Sequence, residues 1–155
     1  MNKKNRIEHL WSVLCETALI DSETNNLSLL NVVEQLNISS IPQIAPIPTK
    51  GIVGIPVIST KLELVSFFQR KNTEKEELEI DATLILLDPS NKVIKEGQFK
   101  IQFPKGMKRL RFRTKINGLP ITIPGEYRFN LSIKEMDEVT EICSLPMDVK
   151  IEAKI

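Results

Sequence analysis

From Leu78 to Leu86 every second residue is apolar. Leu78, Ile80, Ala82, Leu84 and Leu86 occupy one phase, and Glu77, Glu79, Asp81 and Thr83 the other. Strand side chains alternate between two faces, so this period of two predicts a strand with one buried and one wet face. The run stops at Asp88-Pro89-Ser90-Asn91, where proline fixes its own backbone and the flanking Asp and Asn bond locally, the chemistry of a turn. The pattern returns downstream. A strand is predicted over residues 93–103, stopped by Pro104-Lys105-Gly106. Leu110, Phe112, Thr114 and Ile116 then alternate with Arg109, Arg111, Arg113 and Lys115, and Asn117-Gly118 reads as the turn that ends that strand. Tyr127, Phe129, Leu131 and Ile133 alternate with polar residues after the breaker Pro124-Gly125. Met147, Val149, Ile151 and Ala153 share a phase in a last strand, and upstream Ile58, Thr60, Leu62, Leu64 and Phe68 fit the same scheme. Leu84, Phe112, Phe129 and Leu131 are expected in the core.

Short strands separated by turn signals predict an all-β fold, an antiparallel β-sandwich of seven to nine strands. At 155 residues the chain is one domain by length, spanning 1–155, and buries enough surface to need no disulfide or metal staple. Residues 1–8 are expected to be a frayed or disordered terminus. Residues 39–56 carry four prolines and two glycines, unlike a central strand. No run approaches the roughly 20 apolar residues of a transmembrane helix. Lys3, Lys4 and Arg6 resemble a signal-peptide start, but Glu8, His9 and Glu16 follow and no small-residue cleavage pattern does. No export signal is read, and a cytoplasmic location is expected.

Residues 7–38 fit two readings. Ile7, Leu10, Trp11, Leu14, Cys15 and Ala18 have helical spacing, whereas Trp11, Val13, Cys15, Thr17 and Leu19 alternate as in a strand. Leu30, Val32, Leu36 and Ile38 also share a strand phase. Periodicity alone leaves the choice open. The segments Val13-Leu14-Cys15-Glu16-Thr17-Ala18-Leu19-Ile20-Asp21 and Leu27-Ser28-Leu29-Leu30-Asn31-Val32, with the later Asp88-Pro89-Ser90-Asn91 and Pro124-Gly125-Glu126-Tyr127-Arg128-Phe129, occur in that order along nearly the whole chain. In this the chain resembles a small bacterial all-β domain family of unknown function. The resemblance implies a hairpin of strands at the start and a sandwich immunoglobulin-like or C2-like in outline. It implies no activity.

Counts of reactive residues remove several functions. The chain has Cys15, Cys143 and a single histidine, His9. A structural zinc site takes four Cys or His ligands, so this chain alone cannot build one. No CxxC motif is present, and both thiols are expected to be reduced. Any Ser-His or Cys-His nucleophile has to use His9. Cys15 is six residues away, roughly 20 Å along a strand, beyond hydrogen-bond reach. Cys143 can meet His9 only through folding, and His9 itself is expected to be a solvent-exposed residue near a terminus. Thr49-Lys50-Gly51-Ile52-Val53-Gly54 matches neither phosphate-binding glycine motif. A C2-like outline raises calcium, but Asp21, Glu23, Asn25, Asp88 and Asn91 are thin for six to eight oxygen ligands and suit turns. No catalytic residue, cofactor or metal site is assigned.

One feature is distinctive. Residues 92–115 hold nine Lys and Arg against Glu96 alone, a net +8 inside a chain of net +1. Lys108, Arg109, Arg111, Arg113 and Lys115 form the candidate surface for an anionic partner. The competing reading is pairing within the sheet, with the acidic row Glu77, Glu79 and Asp81 on a neighbouring strand, and this is the one favoured. The sequence therefore predicts a non-enzymatic binding or scaffolding module with an unknown protein partner. Nucleic acid or anionic lipid on the basic strand face, or an enzyme with an unrecognised carboxylate site, are the alternatives. Self-association into a homo-oligomer is left open.

Overall fold

The computed structural model describes residues 5–39, 58–71, 75–121 and 123–152. Within them the chain forms nine strands: β1 (Ile7–Ile20), β2 (Leu27–Val32), β3 (Gln35–Ile38), β4 (Ile58–Arg70), β5 (Leu78–Leu87), β6 (Val93–Phe103), β7 (Arg109–Leu119), β8 (Gly125–Glu135) and β9 (Glu138–Ile151). They make two sheets, ordered β2-β1-β4-β7 and β3-β9-β8-β5-β6. This is the expected all-β sandwich, two sheets closed on a common core. One pair breaks the antiparallel rule: β3 runs parallel to β9. Val33 and Glu34 carry the chain from β2 in one sheet to β3 in the other, and the Glu34 carbonyl accepts the Asp148 N–H. That step closes one side of the sandwich. Among the described residues no helix is long and apolar enough to cross a membrane.

The alternating phases place the core. Leu62, Leu64 and Phe68 of β4 meet Ile80 and Leu86 of β5, Ile101 and Phe103 of β6, and Tyr127, Phe129, Leu131 and Ile133 of β8, all buried. Of the four residues expected there, Leu84, Phe129 and Leu131 are buried, while Phe112 is half-buried and packs against the cluster. The Tyr127 hydroxyl, inside the core, donates to the Ile123 carbonyl at 2.7 Å, so the buried polar atom is satisfied. Cys15 and Cys143 are both free.

Several sequence expectations are corrected. Fraying over residues 1–8 does not hold for Arg6 to Glu8: Ile7 is buried, Ile7 and Glu8 pair with Arg70 and Gln69, and the Arg6 carbonyl accepts Lys71 N–H. Residues 1–4, like residues 40–56, Ala153 and the Ile58 side chain, lie outside the described residues. Asn117-Gly118 is not a turn. β7 runs through it to Leu119, with Gly118 at φ 76° and a register shift opposite Ile58 and Lys61, so the left-handed glycine makes an irregularity inside the strand. The last strand begins at Glu138, because Met136 (φ 47°) and Asp137 (φ 64°) are both left-handed and close a two-residue hairpin without glycine. Its Pro146 lies before the stretch of β9 that β3 pairs, so the missing N–H costs no ladder bond there. Leu30 and Val32 are out of phase with Leu36 and Ile38: the first pair is exposed, the second half-buried.

Candidate functional site

β7 presents its basic row on the outward face of the first sheet, opposite β4 residues in register. Arg109 pairs with Gln69, Arg111 with Phe67, Arg113 with Val65 and Lys115 with Glu63. β1 stays beside β4 only as far as Cys15, which pairs with Glu63. Beyond it the β1–β2 hairpin folds across this face. Cys15, Ala18 and Val65 form a small buried cluster capped by Trp11, Leu27 and Leu29. Cys15 and Ala18, three residues apart, are buried in the same cluster, although the β1–β2 register runs unbroken from Cys15–Val32 to Ile20–Leu27. Asn31 of β2 lies at φ 54°, and its amide donates to Glu16. Leu30 and Val32 are both exposed.

The arginines fasten the hairpin down. Arg113 forms an ion pair with Glu63 and donates to the Ala18 carbonyl at 2.8 Å, while the other Glu63 oxygen accepts the Ala18 N–H at 3.1 Å. The Arg111 guanidinium donates to the Asn25 carbonyl at 2.8 Å, at the hairpin tip, and Arg109 donates to Gln69 at 3.0 Å. Glu63 is 5% exposed. The Arg113 hydrogen bond holds its carboxyl below the ordinary value against the opposing effect of burial, and Lys115 adds to the lowering. Burial, then the nearby Glu63 charge, pushes the Cys15 thiol up. Asp21 shapes the tip by accepting from the Glu23 and Thr24 N–H groups, and Asp88 does the same in its own turn for Ser90 and Lys92. Thr24 hydrogen bonds lower the Asp21 pKa.

Pairing with the acidic row is therefore overturned. Glu77 precedes β5, and Glu79 and Asp81 lie on it in the second sheet, whereas the arginines are on β7 in the first. Glu79 accepts from Lys100 and Gln102 of β6 instead. Arg109, Arg111 and Arg113 all have intramolecular partners, which alternation along β7 could not show because two of them are backbone carbonyls of a distant hairpin. Lys108 and Lys115 stay exposed, and Lys115 acts on Glu63 by its charge alone, with no hydrogen bond to the hairpin.

Folding also gives His9 unexpected company. A register shift between His9 and Trp11 puts residues 9 and 12 on one face. His9 Nε2 and Ser12 Oγ are 2.7 Å apart, and Ser12 Oγ is 2.7 Å from Ser66 Oγ. Ser12 also favours the thiolate of Cys143, whose pKa burial raises. His9 is half-buried, not the solvent-exposed terminus residue expected, and burial lowers its pKa despite a backbone hydrogen bond at Trp11. A hydroxyl beside a neutral imidazole has the outline of a nucleophile and base. The cleft that Ser12 lines is rimmed by Glu34, Glu126 and Asp148, whose charges oppose a developing oxyanion. The hydroxyls are satisfied by one another, as in a buried polar chain.

On the opposite side of the sandwich no strand pairing joins the two sheets among the described residues, and only side chains bridge them. β6 and β7 are the end strands of their sheets, and among the described residues neither has a partner on its outer edge. Between them lies a cavity of about 360 Å³, lined by Leu84, Leu86, Phe99, Phe112, Ile116 and Phe129 among others. Gly97 makes the room. It shares the inward phase of Phe99 and Ile101, pairs with Leu84, and a Cβ built on it meets nothing within 4 Å. Phe99 and Phe112 stack at 4.4 Å, and Lys95 Nζ crosses to the Asn117 and Gly118 carbonyls.

No curated protein sequence matches the chain. Among solved structures, an immunoglobulin-like protein from Pseudomonas aeruginosa is similar over 96% of this chain and 100% of its own, at 12% identity and a TM-score of 0.43. A glycoside hydrolase family 2 member from Bacteroides cellulosilyticus matches 59% of this chain at 12% identity and a TM-score of 0.46, and a beta-glucuronidase of the same family matches 59% at 17% and 0.47. The chain spans only 14% and 10% of those two enzymes, and nothing of their chemistry passes to it. The sequence comparison is the informative one: residues 10–150 match the model of the family of unknown function DUF6941, and the chain belongs to that family.

Proposed function

We propose that this chain is a non-enzymatic binding module that docks a protein partner through the outward face of its β1–β2 hairpin. One observation carries the reading. Leu19 (52% exposed), Leu30 (47%) and Val32 (55%) lie on a hairpin that Arg111, Arg113 and Glu63 hold in place. Apolar side chains gathered on a rigid, exposed element mark interaction sites more often than scattered ones do. A preorganised surface also loses little conformational entropy on binding. Two free cysteines suit the reducing cytoplasm.

The test is a photocrosslinking amino acid in place of Leu30, expressed in the source cells, with the same residue in place of exposed Lys134 as control. A discrete product at position 30 alone is expected. It should disappear when Val32→Glu is added, with the melting temperature unchanged. Equal products at both positions, or none, would reject the hairpin as the docking face. A product the size of two copies of this chain would make the partner a second copy.

A further inference from the structure

We propose that the open side of the sandwich is a second docking site, one that takes an extended acidic segment of another protein as an added strand along β7. The geometry begins with the missing side chain at Gly97. At an inward position of an edge strand, a glycine leaves a hollow walled by Leu84, Phe99, Phe112 and Ile116, wide enough for an apolar side chain. The Thr114 hydroxyl, lining the same hollow, is buried and has no hydrogen-bond partner among the described residues. Beside the hollow runs the edge of β7, which no strand pairs among the described residues; Lys95 takes the Asn117 and Gly118 carbonyls, and the backbone groups before them can hydrogen-bond a strand laid along the edge.

The side chains of β7 say which strand. A segment paired there alternates between faces like β7 itself. Its inward residues enter the hollow and have to be apolar. Its outward residues stand beside Arg109, Arg111, Arg113 and Lys115, so carboxylates are favoured there and lysines rejected. A second copy using the same edge would set this basic row against itself, which argues against self-pairing. Lys108 and Lys115 make no hydrogen bond to the hairpin, and their exposed ammonium groups remain for the incoming charge. The site thus reads a pattern, acidic outward and apolar inward, over about five residues at roughly 3.3 Å each.

The experiment uses the full chain and a fluorescent peptide, Glu-Val-Glu-Leu-Glu-Val-Glu, with Lys-Val-Lys-Leu-Lys-Val-Lys and an oligothymidylate as competitors for the same surface. Fluorescence anisotropy should show saturable binding of the acidic peptide, weakening as salt rises, and no displacement by the basic peptide. Gly97→Leu fills the hollow and should weaken binding by at least about tenfold, a factor worth about 1.4 kcal/mol. Lys115→Glu, on the exposed face, should weaken it as well and covers the case in which Gly97→Leu does not fold. Failure of the acidic peptide to bind, binding undiminished in a folded Gly97→Leu or in Lys115→Glu, or tighter binding of the oligothymidylate would each overturn the proposal. The Gly97→Leu result does not depend on the hairpin face, because Gly97 lies on β6 in the second sheet and Leu30 and Val32 lie at the far end of the first.

Discussion

The first sheet ends in two ways. At one end β2 and the tip of β1 fold over the outer face, and arginine side chains lock them there. At the other end β7 stops with an open edge above a hollow. Both ends draw on the same basic strand, yet the cations are used differently. Arg111 and Arg113 offer planar forks that satisfy fixed carbonyls and a buried carboxylate. Lys108 and Lys115, point charges on flexible stems, stay in water. A basic row is therefore not one feature. Its guanidinium members are structural in this chain, and its exposed ammonium members are available.

The largest effect should erase the contrast altogether. Phe129 is 2% exposed, in the core, and also lines the hollow. Phe129→Ala should cost about 3–5 kcal/mol, measured by denaturant unfolding, and leave little folded protein if the domain is marginal. Unchanged unfolding would mean that the inward phase of β8 is not the core phase.

Next in size is the lock itself. Glu63→Gln keeps the shape but leaves Arg113 without its counter-charge under the hairpin. Arg113 keeps about a third of its side-chain exposure, so water relieves part of the loss. A cost of about 1–3 kcal/mol is expected, below that of a fully buried broken pair. Hydrogen exchange at Ala18 and Asn25 should quicken, while exchange along β6 stays unchanged. Equal quickening at both ends would show that the two ends are not independent.

Acid should distinguish the same elements. Glu63 is held below its ordinary value of 4.5, so its contribution is complete above that pH and is lost as pH falls through the lower folded value. His9 is likewise lowered, from 6.5, because burial disfavours its cation. Stability resting on neutral His9 is complete above 6.5 and is lost as pH falls through its folded value. Unfolding free energy measured against pH should therefore decline in two stages. Glu63→Gln should flatten only the lower stage and His9→Asn only the upper. A single stage unaffected by either variant would mean that neither group is linked to folding.

These contrasts were only partly legible beforehand. β5 and β8 announce themselves because each pairs on both sides within a sheet and carries an unbroken alternation, Leu78 to Leu86 and Tyr127 to Ile133. The basic row was legible as a row, and its partners were not. Arg111 and Arg113 reach backbone carbonyls, which have no residue-type signature. The hairpin fold-over buries both Cys15 and Ala18 and exposes Glu16 and Thr17 between them, a spacing that a strict period of two does not contain. Asn117-Gly118 carries a turn signature, yet a left-handed glycine serves a strand irregularity as well as a turn, and Met136-Asp137 carries none because both residues take the left-handed backbone without glycine. His9 and Ser12 share a face only through an irregularity that leaves no mark in composition.

The smallest effect bears most directly on the open end. A glycine within a strand is less favourable than alanine by roughly 0.5–1 kcal/mol, because it loses more backbone freedom on folding. At Gly97 no neighbour stands in the way of a Cβ, and its φ is not in the left-handed region. Gly97→Ala should therefore raise stability by up to that amount, visible as a small rise in melting temperature. Gly97→Leu adds apolar contacts with Leu84 and Phe112 and should keep at least the same gain if the hollow is as open as its walls suggest. A stabilising substitution at Gly97 would mark the hollow as a feature present at some cost to stability, as binding sites often are. A loss of stability in Gly97→Ala would instead mean that the backbone of β6 needs glycine there for its own geometry, and the open side would become a by-product of strand shape.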